Sequence, residues 1–188
     1  MLQGRCRFCR SPIPNCYFLA ESSALTLSAA SIATIGGPNF LVSLPLASFL
    51  FALAYFDFQC GRLPTVLTLP LGALGLIISP LMTGAFIDHL IGMGLAFVVA
   101  LSIAQGYRAL RNRDGLGGGD VKLLAAAGAW VGWESVFIVL LVSCVAALPY
   151  AIFTARVSKS STLPFGPFIA AATWTVWCWQ ISSVGARL

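Results

Sequence analysis

Long apolar runs, broken only by short polar links, constrain this chain more than any single motif: of 188 residues, 59% are hydrophobic and 9% are charged. A soluble domain carries about 25% charged residues, so a chain this poor in charge is built for lipid rather than water. A bilayer core about 30 Å thick takes roughly 20 apolar residues per helix, which allows about six or seven spans here and leaves little chain for an extramembrane domain. The expected fold is an all-α polytopic membrane helix bundle. Residues 1–21 would form a short cytoplasmic segment and residues 22–188 the transmembrane domain.

Apolar runs read against their polar breaks place seven helical segments. They run from Ser22 to Ile35, Phe40 to Phe56, Thr65 to Met82, Phe86 to Tyr107, Val121 to Trp133, Ser135 to Thr154 and Phe165 to Val184. The first and fifth are short for a full span. Alternation from a cytoplasmic N-terminus puts ten of the eleven basic residues on one side and only Arg187 on the other. That asymmetry is the positive-inside bias of membrane proteins, and it accounts for the net charge of +5 without a nucleic-acid partner. Met1 to Ser11, with Arg5, Arg7 and Arg10, has none of the layout of a signal peptide. Six scattered cysteines imply no disulfide framework.

Six acidic residues are present, and two of them, Asp57 and Asp120, abut apolar helices at the same predicted boundary. Ionisable groups at such positions are functional candidates. Two carboxylates within hydrogen-bonding reach cannot both ionise easily, so one keeps a proton while the other activates a water. Gly117, Gly118 and Gly119 precede Asp120 and would let the backbone take positive φ and approach a substrate strand closely. Each acid also has a structural explanation: Asp120 as a helix N-cap, Asp57 as an interfacial acid paired with Arg62. Asp88 and His89 read as a solvated pair on the opposite side. Trp130, Trp133, Trp174, Trp177 and Trp179 read as an aromatic belt at the outer interface.

Three stretches together resemble the type IV prepilin peptidases, membrane aspartic proteases of the GxGD type. The first is Asp57-Phe-Gln-Cys-Gly-Arg-Leu-Pro64 followed by Val66-Leu-Thr-Leu-Pro70, similar to the family's aspartate, proline and Leu-Thr-Leu-Pro helix start. Thr65 stands where the family often has an acidic residue. The second is Gly117-Gly-Gly-Asp120-Val-Lys122, similar to the GxGD motif running into a Lys- and Ala-containing helix. The third, Leu163-Pro-Phe-Gly-Pro-Phe168, resembles the element that opens the family's last helix, where its role reads as structural.

The resemblance implies an endopeptidase that removes the basic leader from type IV prepilins or type II secretion pseudopilins at the cytoplasmic face of a bacterial inner membrane. Asp57 and Asp120 would be the catalytic pair, with Gly117, Gly119, Lys122 and Pro64 as substrate or turn support and no cofactor in the proteolytic step. The N-terminus departs from the pattern. Long family members carry two Cys-x-x-Cys pairs in a zinc module, whereas Cys6-Arg-Phe-Cys9 alone supplies two thiolates, short of the four ligands of a structural zinc site. The expectation is no zinc at Cys6 and Cys9, and no support for the N-methyltransferase activity of longer members. Two other readings use the same residues: an ion-coupled transporter, whose carboxylates usually lie near the midplane, and a non-catalytic degenerate peptidase.

Overall fold

The computed structural model of the protein describes residues 39–61, 63–111, 115–157 and 164–185. The first expected segment, Cys6, Cys9 and Arg62 lie outside the described residues. The remaining six segments all form helices: α1 (Asn39–Cys60), α2 (Thr65–Thr83), α3 (Phe86–Arg111), α4 (Gly118–Val131), α5 (Trp133–Val157) and α6 (Gly166–Gly185).

Four of these, α1, α2, α3 and α5, are long and apolar enough to cross a membrane, so the chain is a multi-pass membrane protein. At 1.5 Å rise per residue, the 14 residues of α4 reach only about two-thirds of the way across the hydrocarbon. Helix α6 has 20 residues, but Thr173, Trp174, Thr175, Trp177, Trp179 and Gln180 dilute its apolar character.

Helices α1, α2, α3, α5 and α6 contact one another in a closed sequence, and α4 packs against all of them except α1. The composition of α4 suits an interior place. From Val121 to Val131 its residues are buried on every side except at Lys122 and, in part, Ala125. A helix apolar all round belongs in a core rather than at a boundary. Its small residues permit close contact: a Cβ on Gly92 of α3 would lie 2.6 Å from the Gly128 carbonyl oxygen. Between lipid-embedded helices, where the surrounding tails are as apolar as the side chains, this kind of packing drives association. The outer helices turn Val66, Leu81, Leu110 and Leu141 outward, each at least 65% exposed, as a lipid-facing surface requires.

Two tryptophans depart from the expected belt. Trp130 and Trp177 are 0% and 2% exposed and meet edge to face with ring centroids 5.1 Å apart. Their indole N–H groups donate to the Leu71 carbonyl at 2.9 Å and to Ser43 Oγ at 3.1 Å. A buried indole needs such a partner, and the interior of this bundle supplies one for each ring. Trp133 and Trp179 do lie outward.

Candidate active site

Asp57 belongs to the last turn of α1, which runs four residues past the expected end at Phe56. The helix stops where Gly61 takes a left-handed φ of +59° and its N–H returns to the Asp57 carbonyl at 2.8 Å. This is the usual use of glycine beyond a helix C-terminus. Leu63 and Pro64 then lead into α2, whose Leu67 and Thr68 N–H groups donate to the Pro64 carbonyl. The Asp57 side chain is buried, at 6% exposure. Its Oδ2 accepts the Gly166 N–H at 2.9 Å, from the start of α6.

Asp120 sits in the first turn of α4, three residues after Gly117, and is therefore not the N-cap. The N-cap is Gly117, and Asp120 Oδ2 reaches back to accept its N–H at 3.3 Å, as the third residue of a capping box does. Gly117 has φ −66°, and the positive-φ glycines among the described residues are Gly61, Gly84 and Gly132. The expected positive φ in the Gly117–Gly119 run is thus overturned. What these glycines provide is clearance: a Cβ on Gly119 would lie 2.7 Å from Leu63 Cβ, and one on Gly117 would lie 3.1 Å from Asp120 Oδ2. The glycine run lets the start of α4 press against the turn that follows Asp57.

The two carboxylates line one cavity of about 300 Å³, together with Gly61, Leu63 and Gly117 to Gly119. Asp120 lies outside the four spans. Its carboxyl is raised to about 6, first by burial and then by the negative charge of Asp57, against the opposing effect of the Gly117 N–H. Asp120 Oδ1 is buried without a hydrogen-bond partner. Each carboxylate therefore has one oxygen tied to a backbone N–H. An oxygen that accepts an amide N–H is the less favoured seat for a proton, so a proton kept by the pair favours an Oδ1.

The other expected residues sit at the margin. Lys122 is exposed, and its Nζ donates to Thr65 Oγ1 at 2.9 Å, joining α4 to the start of α2 outside the cavity. Pro64 opens α2 and, with Phe56, Leu63 and Leu67, lines an apolar recess next to the carboxylates. Sequence reasoning missed Gly166, although the motif containing it was noticed. It also missed His89, which is 4% exposed rather than solvated. His89 Nδ1 lies 3.1 Å from the Ala129 carbonyl oxygen, so Nδ1 carries a proton, and Nε2 lies 3.0 Å from Thr83 Oγ1. His89 faces a separate cavity at the opposite end of the bundle.

The chain is similar to proteins named prepilin leader peptidase/N-methyltransferase. It is 38% identical to that of Aeromonas hydrophila over 95% of this chain and 63% of the relative. It is 39% identical to that of Burkholderia pseudomallei over 90% of this chain and 57% of the relative, and 32% identical to that of Pseudomonas putida over 95% and 64%. The chain thus spans about three-fifths of the length of the curated relatives it matches. No solved structure matches it. Residues 44–152, a stretch that contains both carboxylates and the glycine run that opens α4, match the model of the type IV leader peptidase family, and with that match over more than half its length the chain belongs to this family.

Proposed function

We propose that this chain is a membrane aspartic endopeptidase that removes the basic leader from type IV prepilins or type II secretion pseudopilins at the cytoplasmic face of the bacterial inner membrane. The observation that carries the reading is the pair itself: Asp57 and Asp120 share one cavity, and each has one oxygen held by an amide and one left over. A water between the two Oδ1 atoms gives a proton to the ionised carboxylate as its oxygen attacks the scissile carbonyl carbon. The protonated carboxyl donates its proton to the carbonyl oxygen. When the resulting gem-diol collapses, a proton passes to the leaving nitrogen, the C–N bond breaks, and a carboxylic acid and an amine depart. Water is the only co-reactant, and the proposal is confined to proteolysis.

The position of the pair favours hydrolysis over ion transport. Both acids lie at helix ends, Asp57 in the last turn of α1 and Asp120 in the first turn of α4. Transport carboxylates cluster at the midplane.

The test is cleavage of a prepilin by the purified chain in detergent, where no gradient exists to drive transport. Asp57→Asn and Asp120→Asn should each lower the rate by about 10³-fold or more, because groups that act as a unit fail together. Both variants should remain folded. Cleavage at the wild-type rate by either one would remove the pair from the chemistry.

A further inference from the structure

We infer that Gly166, at the start of α6, is a positioning residue for the reaction: its N–H aims the Asp57 carboxylate, and its lack of a side chain makes room for that carboxylate. The inference rests on the peptidase reading and extends the site to a helix outside the stretch that matches the family model.

Three features of the local chain converge on this one amide. The first N–H groups of a helix have no partner within it, but at α6 nearly all are already used or missing. The N–H groups of Phe168 and Ile169 return to the Phe165 carbonyl at 3.1 and 3.2 Å. Pro167 has no N–H. Among residues 166–169 this leaves Gly166 as the one donor free to point outward, and it goes to Asp57 Oδ2 at 2.9 Å in a buried bond.

Glycine is required here by the neighbour and not by the backbone. Gly166 is not among the positive-φ glycines, so alanine would fit its backbone conformation. The three atoms nearest to an added Cβ all belong to Asp57: Oδ2 at 2.7 Å, Cγ at 2.9 Å and Cβ at 3.0 Å. A methyl group at this position would have to displace the carboxylate itself.

The consequence is chemical. With Oδ2 occupied by a donor, Oδ1 of Asp57 is the oxygen presented to the water and to Asp120. Moving the carboxylate by several tenths of an ångström misaligns the attack without touching the surfaces that bind substrate. The expected signature is a loss in kcat with little change in KM.

The experiment uses the full chain purified in detergent and a synthetic peptide in which a Lys/Arg-rich leader precedes an apolar segment. Gly166→Ala should lower kcat by about 10²-fold, the scale of a misplaced reacting group. KM should stay within about twofold of wild type, the range of an intact binding surface. Gly94→Ala is the control, since its Cβ would meet nothing within 4 Å. A Gly166→Ala protein that is folded and turns over at the wild-type kcat overturns the inference and leaves the peptidase reading standing.

A second measurement needs neither activity nor that variant. Phe165-Gly166 is the only Phe-Gly step in the chain, so labelling Phe carbonyl carbon and Gly nitrogen isolates the Gly166 amide by NMR. Asp57→Ala should speed exchange of that amide proton by about tenfold or more, as for any amide that loses a buried acceptor. Asp57→Asn, which keeps an acceptor oxygen, should change it less. An unchanged amide in Asp57→Ala overturns the inference even if the wild-type chain cleaves nothing and the peptidase reading has failed separately.

Discussion

Two cavities of similar volume at opposite ends of the bundle treat their polar groups in opposite ways. At the end away from the aspartates, a cavity of about 340 Å³ is bordered by His89, Trp130, Trp177 and Gln180. Both ring nitrogens of His89 are engaged, both buried indoles donate, and Gln180 Nε2 donates to the Val131 carbonyl and to Ser135 Oγ. At the aspartate end, the carboxyl of Asp120 keeps a buried oxygen with no partner. The other such atom among the described residues, Ser79 Oγ, is a neutral hydroxyl, which is far less costly to bury than a carboxylate oxygen. A cavity by itself therefore does not mark the site; an ionisable group left unpaired beside one does.

Substitutions at the satisfied end should cost stability and leave turnover per folded molecule alone. The largest effect is expected toward the His89 end of the contact of α3 with α4. Gly128→Ala drives a methyl into the Gly92 carbonyl, so thermal unfolding in detergent should show a loss at the upper end of the about 1–3 kcal/mol typical of overpacking, or more. His89→Ala comes next. It strips partners from Ala129 and Thr83 and should cost about 1–3 kcal/mol, with kcat per folded molecule within about twofold of wild type. A tenfold loss of kcat in a folded His89→Ala protein would break the comparison.

The smallest effect sharpens the other end. The Asp120 carboxyl is raised to about 6 from its ordinary 3.8, so the folded state binds its proton more tightly than the unfolded chain does. The resulting stability is fully present below about pH 4, falls as pH rises to about 6, and stays lower beyond that. Unfolding followed across this window should show a decline of about 1–2 kcal/mol, after discounting the about 1.4 kcal/mol per pH unit for partial solvent access. Asp120→Asn should flatten the decline and be the more stable protein at pH 7. A flat wild-type profile would mean that Asp120 is solvated and belongs with the ordinary surface acids.

Scarcity made the pair legible in the sequence. Only six acids occur in the chain, and the apolar runs alone brought Asp57 and Asp120 to one boundary. What stayed hidden depends on tertiary approach. The element containing Gly166 read as structural because the contact of Gly166 is visible only once Asp57, 109 residues earlier, lies against it. The run Gly117 to Gly119 was read for backbone freedom, whereas its use is clearance against Leu63. Trp130 and Trp177 were assigned to the interface because hydropathy sees an indole as amphipathic; a carbonyl on α2 and a hydroxyl on α1 let both rings enter the core. His89 followed the same logic, since a lone histidine beside an aspartate reads as solvated until a helix C-terminus offers it a carbonyl.

The hydrogen bond from Gly166 to Asp57 also sets an order on biogenesis. Asp57 enters the membrane with α1 and Asp120 with α4, but the amide that aims Asp57 arrives only with α6. A ribosome making this chain therefore leaves the pair unaligned until α6 has been inserted. On the peptidase reading proposed above, the order of synthesis keeps the pair from acting on neighbouring nascent helices before α6 is in place.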